Sequence, residues 1–436
     1  MRRFGFLLGA LVAVGITAGG VYLYGAQSWP FPQQAAAAGS FKTSEEEDTY
    51  VRFVMEGYDL IQKNYWQKAP DDKLANHFQL SLEKAAATSS SIAATDRTST
   101  AKMFVSVFDR LPSDEEKKKV AVGTLQVATF NFAPQGRNQL LSAEEQKAVQ
   151  ETVNNVNPKS DLYSEFGVGV DATKEDIQAA YEQKKGELKN APDAAEKLAR
   201  AEYVQEVLTN PAAKERYDEK KAEPTVFHQR FSSTLYISIG RMSPVTVSEF
   251  TAILDEASTT PYSSMIIDLR GNIGGALDQI PNFLGLFLGV NQYAFDLYHQ
   301  ENFEVIRSPA ARLSQLDKYK EIAVLTDGMS QSSAEVFAAA LKRFNLATVV
   351  GTNTRGWGTV EGTYPIETEI DPATKYGLML VYGLTLRDDN QPIDGVGVDP
   401  DISTKDKNWQ STLPQHFRST NLIEAVKTVL AKPPLQ

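Results

Sequence analysis

Cysteine is absent from the 436 residues. That excludes disulfides, thiolate metal sites and a cysteine nucleophile, though it does not fix a compartment. Histidine is scarce, with four in all. None stands near His77 at metal-ligand spacing, so His77 reads as a surface or packing residue. No basic stripe is present either, and the formal charge is −11. Nucleic acid is therefore not expected as a partner, since nothing would neutralise its phosphates. The residues point to no cofactor and no metal. The length allows two or three domains, each with its own core.

Charge is also missing from Phe4 to Ala26, a mostly apolar span long enough to cross a bilayer as a helix. Arg2 and Arg3 before it favour a cytoplasmic N-terminus with the rest of the chain outside. The expectation is a transmembrane anchor over 1–26 and a membrane-anchored, extracytoplasmic protein of the cell envelope. A signal peptide cut within Ala35 to Gly39 is the alternative, but the span exceeds the usual ~7–15 residue signal core. Residues 27–48 hold Pro30, Pro32, an alanine run and closing acids, and read as a linker.

The chain is organised around Glu321 to Val360. Ile322 to Thr326 is an apolar run fit for a buried strand. Asp327-Gly328 is a turn. Val336, Phe337, Ala340, Leu341 and Phe344 then mark one face of a helix from Ser333 to Phe344. Asn345 stops it, and Ala347 to Val350 is a second buried strand. A serine at a strand-to-helix turn is well placed as a nucleophile, because the helix start offers unpaired N–H groups. The other reading of Ser332-x-x-Glu335 is a capping box, which needs no chemistry.

Three ordered motifs resemble the carboxyl-terminal processing (tail-specific) serine proteases. Ser330-Gln331-Ser332-Ser333-Ala334-Glu335 is similar to their Ser-Ala-Ser-Ala-Ser-Glu. Val349-Val350-Gly351 through Gly356-Trp357-Gly358 resembles their Val-Val-Gly-Glu-x-Thr-Phe-Gly-Lys-Gly loop. Asp268-Leu269-Arg270-Gly271-Asn272-Ile273-Gly274-Gly275 resembles their Asp-Leu-Arg-x-Asn-x-Gly-Gly. Asp394 to Ile402 matches their closing signature. The resemblance implies an α/β (α+β) core of ClpP/crotonase-like βαβ units over 223–405. It implies Ser332 as nucleophile and Gly274 and Gly275, with N–H groups near Ser332, as the oxyanion hole.

The same resemblance places the general base, a lysine in the family, at Trp357. An indole nitrogen only donates, so it cannot take the serine proton. An aspartate that the family tends to carry eleven residues after the serine is here Arg343. Lys342 lies about 15 Å along the helix axis from Ser332. Arg343 and Arg355 stay protonated. Lys375 sits in a turn between strands. His228, His299 and His416 have suitable chemistry, but sequence gives none of them a place near Ser332. No PDZ pattern is evident.

Around the core, helical spacing from Tyr50 to Trp66, starts near Pro70 and Ser113, and a capping box at Ser142 predict a helical domain over 49–157. Thr88 to Thr100 reads as a loop. Residues 158–222 resemble a J-domain: Leu162 to Val168, Ala172 to Tyr181, Tyr203 to Pro211 and Arg216-Tyr217-Asp218. The J-domain's working His-Pro-Asp stands here as Ala191-Pro192-Asp193, without the histidine, so the segment reads as a helical insert. Strands are expected at Thr234 to Ile239, Ser264 to Leu269, Glu361 to Ile370 and Gly377 to Leu386. A helix is expected at Val245 to Ala257, and a C-terminal helix and tail over 406–436. The functional expectation is a degenerate protease that binds unfolded or C-terminal polypeptide. An active serine endopeptidase with another base and a J-type co-chaperone are the alternatives.

Overall fold

The computed structural model describes residues 42–189, 193–387 and 389–435. The expected anchor at 1–26, most of the linker and residues 190–192 of the J-like loop lie outside the described residues. Among the described residues no helix is long and apolar enough to cross a membrane.

Among the described residues, a 3-10 turn at Ser44–Glu47 is followed by four α-helices: α1 (Thr49–Asn64), α2 (Asp71–Ala86), α3 (Arg97–Phe108) and α4 (Asp114–Phe130). Asp48 starts α1 by accepting from the N–H groups of Tyr50 and Val51. Their apolar faces meet in an aromatic core, with Tyr58 and Phe78 rings 5.1 Å apart. The loop expected to Thr100 ends earlier, because Asp96 accepts from Ser99 N–H at 2.7 Å and opens α3 at Arg97. Thr100 is no obstacle, since its hydroxyl donates to the Asp96 carbonyl one turn back.

β1 (Gln139–Ser142) leads into α5 (Ala143–Val153), where the Ser142–Glu145 capping box forms as expected. The insert follows as α6 (Leu162–Phe166), α7 (Lys174–Leu188), α8 (Ala194–Thr209) and α9 (Pro211–Lys220). Leu162, Ile177, Val204, Val207 and Tyr217 build its small core, which continues onto Phe227. Thr173 and Asp176 cap α7 reciprocally.

The α/β core begins with β2 (Val226–Phe231) and β3 (Thr234–Ile239), then α10 (Thr246–Glu256), β4 (Ser264–Asp268) and α11 (Ile280–Leu288). A hairpin, β5 (Tyr293–His299) and β6 (Asn302–Arg307), precedes β7 (Glu321–Thr326), α12 (Ser333–Arg343) and β8 (Thr348–Gly351). β9 (Thr359–Pro365), β10 (Tyr376–Thr385), β11 (Ile402–Ser403), α13 (Trp409–His416) and α14 (Thr420–Leu430) complete the chain. One sheet runs β11-β8-β7-β4-β3-β2 and is parallel except at β2. Its inner strands are buried on both faces, which explains their continuous apolar runs. The other sheet runs β1-β10-β5-β6, with β9 also on β10. β1 thereby ties the N-terminal helices to the core.

Parallel strands joined by helices end at the same edge of their sheet. The turns after β4, β7 and β8 therefore gather at one place, where ligands of open α/β sheets bind. Those turns carry the glycine pair, Ser332 and Trp357.

Candidate active site

Ser332 stands immediately before α12 with φ 57° and ψ −126°. A non-glycine residue pays for such a backbone, and strain of this kind collects at functional sites. Ser332 and Glu335 have the outline of a capping box. Only half of it is made as a close hydrogen bond: Ser332 N–H donates to Glu335 Oε2 at 2.8 Å. Glu335 N–H goes to the Ser332 carbonyl at 2.8 Å rather than to the hydroxyl. The capping role open to Ser332 in the sequence is thus present in outline, without a close hydrogen bond from the Glu335 N–H to the serine hydroxyl.

The turn before Ser332 is pinned from both sides. Asp327 Oδ1 accepts from Met329, Ser330 and Gly271 N–H groups. The buried Ser330 hydroxyl donates to the Leu269 carbonyl at 2.7 Å. Asn272 is fully buried and joins three segments. Its side chain donates to the Ile239 carbonyl and accepts from Gly274 N–H, and its carbonyl accepts from Gln331 N–H.

The two glycines differ in what they offer. Gly274 has φ +85°, and a Cβ there would meet Ser332 Cβ at 2.6 Å. Glycine is required for this close approach. Its N–H is spent on Asn272, so of the two oxyanion-hole positions Gly274 supplies packing. Gly275 N–H has no hydrogen-bond partner among the described residues, and neither has Ser333 N–H at the start of α12. These are the free donors beside the serine.

Trp357, which the family resemblance sets at the base position, lies on the loop after β8. Glu335 Oε2 accepts from its N–H at 2.7 Å, and Oε1 accepts from Gly356 N–H at 2.8 Å and from the Thr354 hydroxyl. Glu335 is wholly buried. Burial raises its pKa above the usual carboxylate value, against the pull of these hydrogen bonds. The Trp357 indole donates to Glu361 at 3.2 Å and lies 4.0 Å beneath the Arg137 guanidinium. Arg137 also holds Asp394 at 2.5 Å and Thr359 at 2.7 Å. Beneath the loop runs the closing signature, where Gly395 N–H donates to the Gly356 carbonyl at 3.0 Å.

No lysine or histidine among the described residues hydrogen-bonds Ser332. Lys342 reaches the Asp399 carbonyl at 2.8 Å and Asp401 at 3.6 Å. Lys375 faces solvent beside Glu369. His299 Nδ1–H donates to the Tyr382 carbonyl at 2.6 Å, and the imidazole stacks on the Tyr382 ring. His228 lies 3.9 Å from Glu256. Arg343 is engaged by Tyr293, the Arg387 carbonyl and Asn390 at the far end of α12. Sequence reasoning had no sign of Arg137, which comes from outside all the motifs, or of the clamp by which Glu335 joins two loops.

A strained serine before a helix, with free N–H groups beside a glycine turn, is the layout of a serine-nucleophile acyl-transfer site on an α/β scaffold. In comparison with known proteins, residues 233–404 match the model of peptidase family S41. A "Carboxy-terminal-processing protease" of Bartonella bacilliformis is 31% identical over 171 residues, 38% of this chain and 38% of that protein. A "Probable CtpA-like serine protease" of Staphylococcus aureus is 29% identical over 177 residues, 40% of this chain and 34% of that protein. The chain thus spans little more than a third of the curated relatives it matches. Among solved structures, a photosystem II D1 C-terminal processing protease aligns with a TM-score of 0.48 and 12% identity, covering 83% of this chain and 93% of that one. A lipoprotein from Streptococcus agalactiae aligns with a TM-score of 0.43 and 15% identity, covering 87% and 98%.

Proposed function

We propose that the Ser332 cleft binds extended polypeptide without hydrolysing it, so that the chain is a degenerate carboxyl-terminal processing peptidase. The observation that supports this reading is Trp357, where the family resemblance expects a lysine base; its N–H is held by Glu335 and its ring covered by Arg137. A serine hydroxyl is a weak nucleophile until a neighbour takes its proton. An indole N–H and a guanidinium can only donate. Loss of the base in comparable chemistry costs on the order of 10⁴-fold or more. The free N–H groups of Gly275 and Ser333 support retained binding, since they suit a peptide carbonyl oxygen. Ser332 is then a nucleophile position without a base.

The same reading treats the helical insert as a packing or partner-binding element. The missing histidine gives no support to a co-chaperone role. Arg2, Arg3 and the apolar span Phe4 to Ala26 support a membrane-anchored, extracytoplasmic location. Protection of the folded region from protease in intact cells would count against that location.

The activity test incubates the full chain and its Ser332→Ala variant with an unfolded protein ending in apolar residues. Fragments are followed by mass spectrometry and retention by pull-down. Retention without fragments is the expected result. Fragments made by the parent and lost in Ser332→Ala would overturn the proposal and establish an active endopeptidase with another base.

A further inference from the structure

Arg241 lies between β3 and α10, and its backbone is fixed on both sides. Its carbonyl accepts from the Thr246 hydroxyl at 3.0 Å. Its neighbour Met242 pairs with the glycine turn, donating to the Gly274 carbonyl at 3.1 Å and accepting from Ala276 N–H at 2.6 Å. The side chain follows that turn: Arg241 Cγ would lie 3.6 Å from a Cβ built on Gly275. Gly275 carries one of the two free N–H groups, and Gly274 packs on Ser332 itself.

The guanidinium is half-buried and has no ion pair, hydrogen bond or ring contact among the described residues. Burial alone lowers its pKa, with no neighbouring charge opposing the change. Taking a charged group partly out of water without a partner costs free energy. Arg270, in the neighbouring turn, shows the ordinary solution: it is buried against Asp268 at 2.7 Å. Arg241 lacks such a carboxylate and borders the cleft.

We infer that Arg241 is a carboxylate-binding residue of the Ser332 cleft, anchoring an acidic group of the bound polypeptide beside the free N–H of Gly275. This rests on the polypeptide-binding reading above. A guanidinium fork matches a carboxylate through two parallel N–H···O bonds. The chain as a whole is acidic, at −11. Its overall field does not draw carboxylates, so a preference for them has to come from a local cation. The carboxylate has two sources in a polypeptide, its own C-terminus or an aspartate or glutamate side chain.

The test uses a short, unstructured, fluorescein-labelled peptide of small and apolar residues in three forms. One has a free C-terminal acid, one a C-terminal amide, and one an amide with aspartate as its last residue. Anisotropy titrations compare the full chain with Arg241→Ala, Arg241→Lys and Arg355→Ala, the last an exposed guanidinium on the adjoining loop. The parent should bind at least one carboxylate form about tenfold or more tighter than the plain amide, and the favoured form identifies the source. Arg241→Ala should level the three. Arg241→Lys should keep the charge and lose most of the preference, and it carries the test if the alanine variant fails to fold. Arg355→Ala should leave the preference intact. Equal binding of all forms by the parent would overturn the assignment to Arg241 while leaving the cleft reading in place. A preference that survives Arg241→Ala, or disappears equally in Arg355→Ala, would overturn it too. If the parent binds no form, both readings fall.

Discussion

The backbone N–H groups of Ser332 and Trp357 donate to the same oxygen of Glu335, at 2.8 and 2.7 Å. One buried carboxylate therefore ties the backbones of residues 332 and 357 together, whatever side chains they carry.

Trp357→Lys tests that statement directly. The backbone of residue 357 is held by Glu335, and Gly358 is pressed against Asp394, where an added Cβ would lie 2.2 Å from its N. A lysine should inherit the position. Arg137, now 4.0 Å from the indole, would sit beside the new amine and push its pKa down toward what a base requires, while Glu361, the indole's acceptor at 3.2 Å, would pull it up. Slow cleavage of an unfolded substrate that disappears in Trp357→Lys/Ser332→Ala, and rises with pH, is expected by mass spectrometry. No fragments at any pH would mean that the cleft has lost more than its base.

Glu335→Gln should destabilise the fold by about 1–3 kcal/mol, read by chemical denaturation at neutral pH. A glutamine amide keeps one acceptor and aims an NH₂ at the donors on the other side. Thr354 can turn its hydroxyl to accept, but a backbone N–H is still left without a partner. The pH dependence has a definite sign. The folded pKa of Glu335 is raised by burial, so the native state binds that proton more tightly than the unfolded chain does. Its contribution is complete below the unfolded value and is lost as pH rises through the folded one. Stability of the parent should fall over that interval, and Glu335→Gln should flatten this part of the profile.

Much of this was legible because it is local. The strands β3, β4, β7 and β8 announce themselves as apolar runs, since parallel strands are buried on both faces. Ser142 and Thr173 cap helices within four residues. What escaped depends on distant pairing: β1 joins β10 through Gln139–Met379 and Leu140–Leu378, and no short-range pattern marks it. The β5–β6 hairpin went unrecognised, with Phe303 and Val305 exposed where a half-buried strand would bury them. In the site, Ser332, Gly275 and Trp357 came from the order of the motifs. Arg137 could not, because its contact with Trp357 joins residues far apart in the chain. Glu335 read as a helix cap because only its near partner, Ser332, is visible in sequence.

Gly274→Ala should be severe. At φ +85° an alanine is strained, and its Cβ would lie 2.6 Å from Ser332 Cβ and 2.8 Å from the Gln331 carbonyl oxygen. Neither neighbour is free to retreat, since Gln331 N–H is tied to the Asn272 carbonyl at 2.9 Å. A loss of about 1–3 kcal/mol or more is expected from overpacking alone, together with loss of peptide binding. Gly328→Ala is the control: a Cβ there meets nothing within 4 Å, and stability should hardly change.

Arg270 and Arg241 flank the same glycine turn and should respond to substitution in opposite ways. Arg270 lies against the fully buried Asp268, which also accepts from Tyr236 at 2.9 Å. Its other N–H groups reach the carbonyls of Val429 and Lys432 and fasten the end of α14. Arg270→Ala strands a buried carboxylate and frees two carbonyls, and breaking such a pair costs about 3–5 kcal/mol. Hydrogen exchange should quicken first along 420–432. The molecules that remain folded should keep any preference for a peptide carboxylate, because Arg270 is already paired. Arg241→Ala should do the reverse, leaving stability nearly unchanged or slightly raised while the preference is lost. If Arg241→Ala instead unfolds the protein and Arg270→Ala alters ligand choice, the roles assigned to the two arginines are exchanged.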